Sequence, residues 1–189
     1  MTRFQLSAAL LLTLAMGCED GKTDSGATVN PCTADESNGG WPASVQPACV
    51  GQDIIVSLGS GAAIDLDWAD ESDVACFPGT ENLNFDGNHV FFWFAQPESS
   101  ILTVTATPKS GVDSSVYVIQ SANRYEVPPG VVSAVACEAG YDAQTDSNPG
   151  EADDAIVTAT TNPYDILIGV AGAGGTTSGA VTLSLSLEQ

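Results

Sequence analysis

Five cysteines, a lone histidine and a crowd of carboxylates are the residues of this 189-residue sequence whose types could do chemistry. Cys18, Cys32, Cys49, Cys76 and Cys137 could be acylated, bridged or metal-bound. Structural zinc sites commonly draw their thiolates from closely spaced C-x-x-C pairs, and no such pair occurs here. With Cys18 set aside, the other four form an even set, which in an exported chain reads as a disulfide framework. Four cysteines allow three pairings. Sequence distance favours Cys32 with Cys49 and Cys76 with Cys137, and the longer loop would remove about 4 kcal/mol of unfolded-state entropy in the chain-entropy description.

Asp142, Asp146, Glu151, Asp153 and Asp154 crowd one loop that also contains Gly, Pro and Asn. Calcium wants several oxygen ligands on an adaptable backbone, so it is the one metal this composition invites. No Asp-x-Asp-x-Asp-Gly register is present, and a solvated acidic loop that keeps the protein soluble is the plainer expectation, with no cofactor. Asp65, Asp67, Asp70, Glu71 and Asp73 form a second acidic group. A Ser-His-Asp triad would need His89 as its base and a residue such as Asp86 to orient it. No Gly-x-Ser-x-Gly elbow accompanies them, and His89 follows the turn residues Asp86-Gly87-Asn88, where an exposed, non-catalytic histidine is expected. Of Trp41, Trp68 and Trp93, the last belongs to an apolar run. Trp41, between Gly40 and Pro42, is the best candidate for an exposed ring that stacks on a sugar or a partner. Gly169, Gly172, Gly174, Gly175 and Gly179 read as a strand end and a long hairpin loop.

The charge balance removes other classes of function. Asp and Glu number 24 against 4 Lys plus Arg, a formal charge of −20. Such a surface repels phosphate backbones, so nucleic acid is excluded as a partner. Attraction to anionic headgroups fails for the same reason.

Ahead of these residues, 1–17 read as a secretory signal, with Arg3 as the positive start and a short apolar stretch from Leu6 to Met16. Leu14-Ala15-Met16-Gly17-Cys18 resembles the lipobox of bacterial lipoproteins. The resemblance implies that Cys18 receives diacylglycerol and becomes the new N-terminus, with the lipid bilayer as its partner. Residues 18–45 are polar and rich in Asp, Ser, Thr, Asn and Gly, so they read as a flexible tether ahead of a domain over 46–189.

Beyond residue 50, short segments of period-two hydrophobicity recur between turn signals. Val181, Leu183, Leu185 and Leu187 alternate with Thr182, Ser184 and Ser186. The same pattern predicts strands over 64–68 and 102–107, with Asp65 and Asp67 on the wet face of the first. Further strands are expected at 54–58, 90–95, 115–120, 131–137, 155–160 and 164–171. Val90-Phe91-Phe92-Trp93-Phe94 is apolar on both faces, which predicts a central strand with one face in the core and the other covered. About nine strands make an all-β fold, a two-sheet antiparallel sandwich or jelly roll.

The stretch 88–187 resembles the bacterial pre-peptidase C-terminal domain, a small jelly-roll sandwich found on secreted proteases and in standalone lipoproteins. The residues that carry the resemblance are the aromatic strand at 90–94, Leu102-Thr103-Val104-Thr105, and Val112-Asp113-Ser114-Ser115-Val116-Tyr117-Val118. They continue through Ala136-Cys137, Asp153-Asp154, Tyr164-Asp165-Ile166-Leu167-Ile168-Gly169-Val170, and Ser178-Gly179-Ala180-Val181-Thr182-Leu183-Ser184-Leu185. The resemblance implies a module of the carbohydrate-binding or adhesion type in fold and carries no catalytic role. The expectation is a lipid-anchored, non-enzymatic protein of the bacterial envelope, at the outer membrane or cell surface, presenting its sandwich to a protein or glycan partner. A hydrolase with an unrecognised site and a passive envelope component are the alternatives.

Overall fold

The computed structural model describes residues 40–70, 82–121, 126–131, 135–137 and 151–189. Among them, two β-sheets pack face to face. The strands are β1 (Val45–Pro47), β2 (Ile54–Ser57), β3 (Ala62–Ala63), β4 (Asn88–Gln96), β5 (Ser100–Pro108), β6 (Ser114–Ser121), β7 (Ala136–Cys137), β8 (Asp153–Ala159), β9 (Tyr164–Gly172) and β10 (Ala180–Glu188). One sheet runs β1-β4-β9-β6-β7, with β3 also on β4, and the other runs β2-β10-β5-β8. All of these pairings are antiparallel except β1 with β4. This is the all-β sandwich expected from the alternating pattern.

Alternation decides what each strand buries. Val90, Phe92 and Phe94 on β4 and Ile166, Ile168 and Val170 on β9 point between the sheets. There they meet Leu102, Val104 and Ala106 on β5 and Val181, Leu183 and Leu185 on β10. The opposite face of the six-stranded sheet is also dry. Phe91 and Trp93 of β4, Leu167 and Ala171 of β9, and Tyr117 and Ile119 of β6 lie under Trp41, Leu66, Phe85 and Val131. The expectation for 90–94 is met in full, with β4 inside its sheet and an apolar layer on each side. Gln96, wholly buried at the end of β4, donates from Nε2 to the Val157 carbonyl at 3.0 Å and so ties β4 to β8.

Three local expectations are corrected. Residues 64–66 form no strand, and α1 (Asp67–Asp70) is a single helical turn. The Asp65 carboxylate accepts the Asp67 N–H at 2.9 Å, the local side-chain-to-backbone bond by which Asp turns a chain out of extended pairing. Ile64, Leu66 and Trp68 still pack on the outer layer, so the apolar spacing was read correctly and the backbone carrying it was not. Over 131–137, strand is found only at Ala136–Cys137, while Val131 is buried in the outer layer and 132–134 lie outside the described residues. The folded unit also starts before residue 46. Trp41 and Val45 are buried, and Val45 pairs with Phe91 across the parallel β1–β4 ladder.

Candidate functional site

The alternation of β4 begins one residue earlier than the apolar run, at His89. Odd-numbered His89, Phe91 and Trp93 therefore share the outer face, and His89 stacks on Phe91 with ring centroids 6.2 Å apart. Two strands away, Tyr117 on β6 stands in register with Gly169 on β9, which is in register with Phe91. An ideal Cβ built on Gly169 would lie 2.1 Å from Tyr117 Cζ, so the tyrosine ring occupies the space that any side chain there would need. A glycine inside a strand commonly marks such a close approach. Lying across β9, Tyr117 brings its hydroxyl to 2.8 Å from His89 Nδ1. Gly169 is thus an interior strand position and not the strand end expected from the sequence.

The other ring nitrogen, Nε2, lies 2.7 Å from the Phe85 carbonyl oxygen. A carbonyl only accepts, so Nε2 carries the proton and Nδ1 accepts from the Tyr117 hydroxyl. Phe85 and Tyr117 meet edge to face at 5.8 Å, and Trp68 closes over Tyr117 at 6.4 Å. His89 is 2% exposed and Tyr117 wholly buried. Burial lowers the His89 pKa to about 4, with the Phe85 hydrogen bond and the nearby Asp86 charge pulling the other way. Burial also pushes the Tyr117 hydroxyl well above its ordinary value. At neutral pH the pair is an uncharged, hydrogen-bonded link between β4, β6 and the segment that carries Phe85.

This placement corrects the expectation of an exposed histidine at a turn. Extended pairing runs through Asn88 and His89, because Ala63 and Ala62 of β3 pair with them on one side while Ala171 of β9 takes His89 on the other. Asp86 does not orient the ring. Its Oδ1 accepts the Gly175 N–H at 2.6 Å. The nitrogens that a triad would use face a tyrosine and a backbone carbonyl. The signals that could have found this group were in the chain: the alternation reaches back to His89, and Gly169 interrupts an apolar strand.

Three of the five acidic candidates lie within the described residues. Asp142 and Asp146 lie outside the described residues, and Glu151 is exposed. Asp153 and Asp154 are neighbours on β8, so their side chains point to opposite faces. Asp153 is 1% exposed inside the sandwich, where its Oδ2 accepts from the Ser114 hydroxyl at 3.1 Å, and Asp154 faces solvent opposite Thr105. Among the described residues no three His, Cys, Asp or Glu side chains form a group that could hold a metal ion. Trp41, expected as an exposed platform, is buried because β1 draws its segment onto the outer layer; Trp93 is buried as expected.

Cys49 is buried and disulfide-bonded. Cys137 is half-buried on β7, in register with Tyr117. Cys18, Cys32 and Cys76 lie outside the described residues, as does the lipobox-like segment.

The solvent face of the four-stranded sheet has a different character. Ile55 on β2, Ile101 on β5 and Ile156 on β8 are exposed there, among Thr103, Thr105, Thr182 and Ser184. An open groove of about 330 Å³ at one end is lined by Ser99, Ile101, Thr158, Thr160 and Glu188. Ser99 closes the turn between β4 and β5 with φ 56°, and its N–H and hydroxyl both reach the Thr160 carbonyl.

No protein-family model and no curated protein matches this chain. Among solved structures it is similar to a chain described as "CorA is a surface-associated copper-binding protein important in Methylomicrobium album BG8 copper acquisition". The two share 12% identity with a TM-score of 0.44, over 77% of this chain and 99% of that one. Copper binding is a property of that protein.

Proposed function

We propose that this chain is a lipid-anchored, non-enzymatic protein of the bacterial envelope whose β-sandwich is displayed for contact with a protein or glycan partner. The observation that carries the reading is the order of the chain: an apolar export segment, Leu14-Ala15-Met16-Gly17-Cys18, a polar stretch, and then the sandwich. In this reading Cys18 is the acylated N-terminus, and the strands over 88–187 form a module of the pre-peptidase C-terminal type. Two features of the fold support it. His89 is the single histidine of the sequence, and both its ring nitrogens are committed inside the outer layer, so it does not serve as a solvent-facing base. The four-stranded sheet, by contrast, offers a mixed surface of isoleucines and hydroxyls suited to contact.

The test is Cys18→Ser followed by lipid labelling and membrane fractionation. Cys18 is the attachment point in this reading, so the variant should lose label and move to the soluble fraction. Unchanged labelling or unchanged membrane retention would refute the anchor.

A further inference from the structure

We propose that His89 is the acid-operated latch of the outer aromatic layer: protonating its ring releases the segment carrying Phe85 from the six-stranded sheet while the core between the sheets stays packed. The geometry assigns the latch to His89 because one side chain joins two strands to the turn that leads into the first of them. Its backbone belongs to β4, Nδ1 takes the hydroxyl of β6, and Nε2 holds the backbone at Phe85. The neutral ring meets both demands at once, donating to a carbonyl and accepting from a hydroxyl. A protonated ring has two donors and no acceptor. Nδ1–H would then point at the Tyr117 oxygen, and the hydroxyl that now donates to Nδ1 would have to reverse its role. The ring would also carry a positive charge out of contact with water.

The groups around it do little to hold that charge in place. Asp86 is the carboxylate beside the ring, but it is exposed and bonded to the Gly175 N–H. Tyr117 is the titratable neighbour on β6; β3 and β9 present Ala62 and Ala171, and α1 brings Trp68 over the tyrosine. The released layer is a hydrophobic cluster distinct from the one between the sheets, so opening it leaves the contacts of β5, β8 and β10 intact. Beyond His89, the 82–87 segment is held by the bonds Gly174 N–H to Leu83 carbonyl, Gly175 N–H to Asp86 and Gly87 N–H to Gly172 carbonyl.

Linkage sets the pH window and its sign. The ring is free to protonate near 6.5 once released and near 4 while latched. The open-to-closed ratio therefore rises as pH falls from about 6.5, by about 30-fold at pH 5 and about 300-fold below pH 4. All three tryptophans of the sequence pack in this layer, which supplies the readout.

The experiment follows acrylamide quenching of tryptophan fluorescence in the full chain from pH 7.5 to 3, with amide exchange at β5 and β10 recorded in parallel. The latch predicts rising quenching below pH 6.5 while β5 and β10 stay protected. In His89→Gln, whose amide can donate to Phe85 and accept from Tyr117 without titrating, the rise should vanish. In Tyr117→Phe, which removes the donor that the neutral ring accepts, the closed layer tolerates the ring proton better and the rise should be smaller. A wild-type transition in His89→Gln overturns the proposal, as does simultaneous loss of protection at β5 and β10. Should His89→Gln fail to fold, an undiminished acid rise in Tyr117→Phe overturns it equally.

Discussion

Replacing Gly169 with alanine should destabilise the protein by about 1–5 kcal/mol, an unusual cost for one methyl group in a strand. The added Cβ would land on the face of the Tyr117 ring directly over Cζ, far inside van der Waals contact. The ring is wholly buried, so it must be driven off β9. Overpacking a filled layer costs about 1–3 kcal/mol. Pulling the hydroxyl from His89 Nδ1 leaves a buried acceptor unmet at about 1–3 kcal/mol more. Replacing a strand glycine returns about 0.5–1 kcal/mol of backbone entropy, which offsets part of the loss. Urea unfolding at pH 7, followed by tryptophan fluorescence, measures the change. The decisive comparison is a double-mutant cycle: with Tyr117→Ala already in place, Gly169→Ala meets no ring and should be neutral or stabilising. A cost below about 0.5 kcal/mol in the wild-type background, within the range of an ordinary surface change, would refute the argument. An equal cost in both backgrounds would refute it as well.

Other consequences can be checked separately. Trp41→Ala should cost about 3–5 kcal/mol, because the ring is buried in the outer layer; a change within about 0.5 kcal/mol would return it to the surface role expected from sequence. Alkylation of the unreduced, unfolded chain should leave Cys49 unmodified, and modification there would contradict its disulfide. Calcium and magnesium at matched ionic strength should raise Tm alike, since Asp153 and Asp154 face opposite sides of β8 and relief of self-repulsion needs no ligand shell. A calcium-selective gain lost in Asp153→Asn/Asp154→Asn would overturn that expectation.

Much of the fold was legible because period-two burial is a local property. The strand at 180–188 could be read from four alternating leucines and valines, and the double covering of β4 from a run with no polar face. The same rule failed at 64–68. There the apolar spacing was right, but a single carboxylate-to-amide bond at Asp65 turned the chain. Neighbouring acids also misled, because adjacency in sequence within a strand means opposite faces in space, as it does for Asp153 and Asp154.

By itself, then, the sequence determined the charge imbalance, the all-β class and the alternating faces of the longer strands. Composition and alternation need no knowledge of which strands become neighbours. Only the tertiary structure decided that Trp41 is core, that Asp153 is buried against Ser114, and that His89 and Tyr117 share a hydrogen bond. Those facts depend on register between segments far apart in the chain. The β4–β9–β6 register places Gly169 under Tyr117, and a slip of one residue would put a branched side chain there and turn the tyrosine away from the histidine.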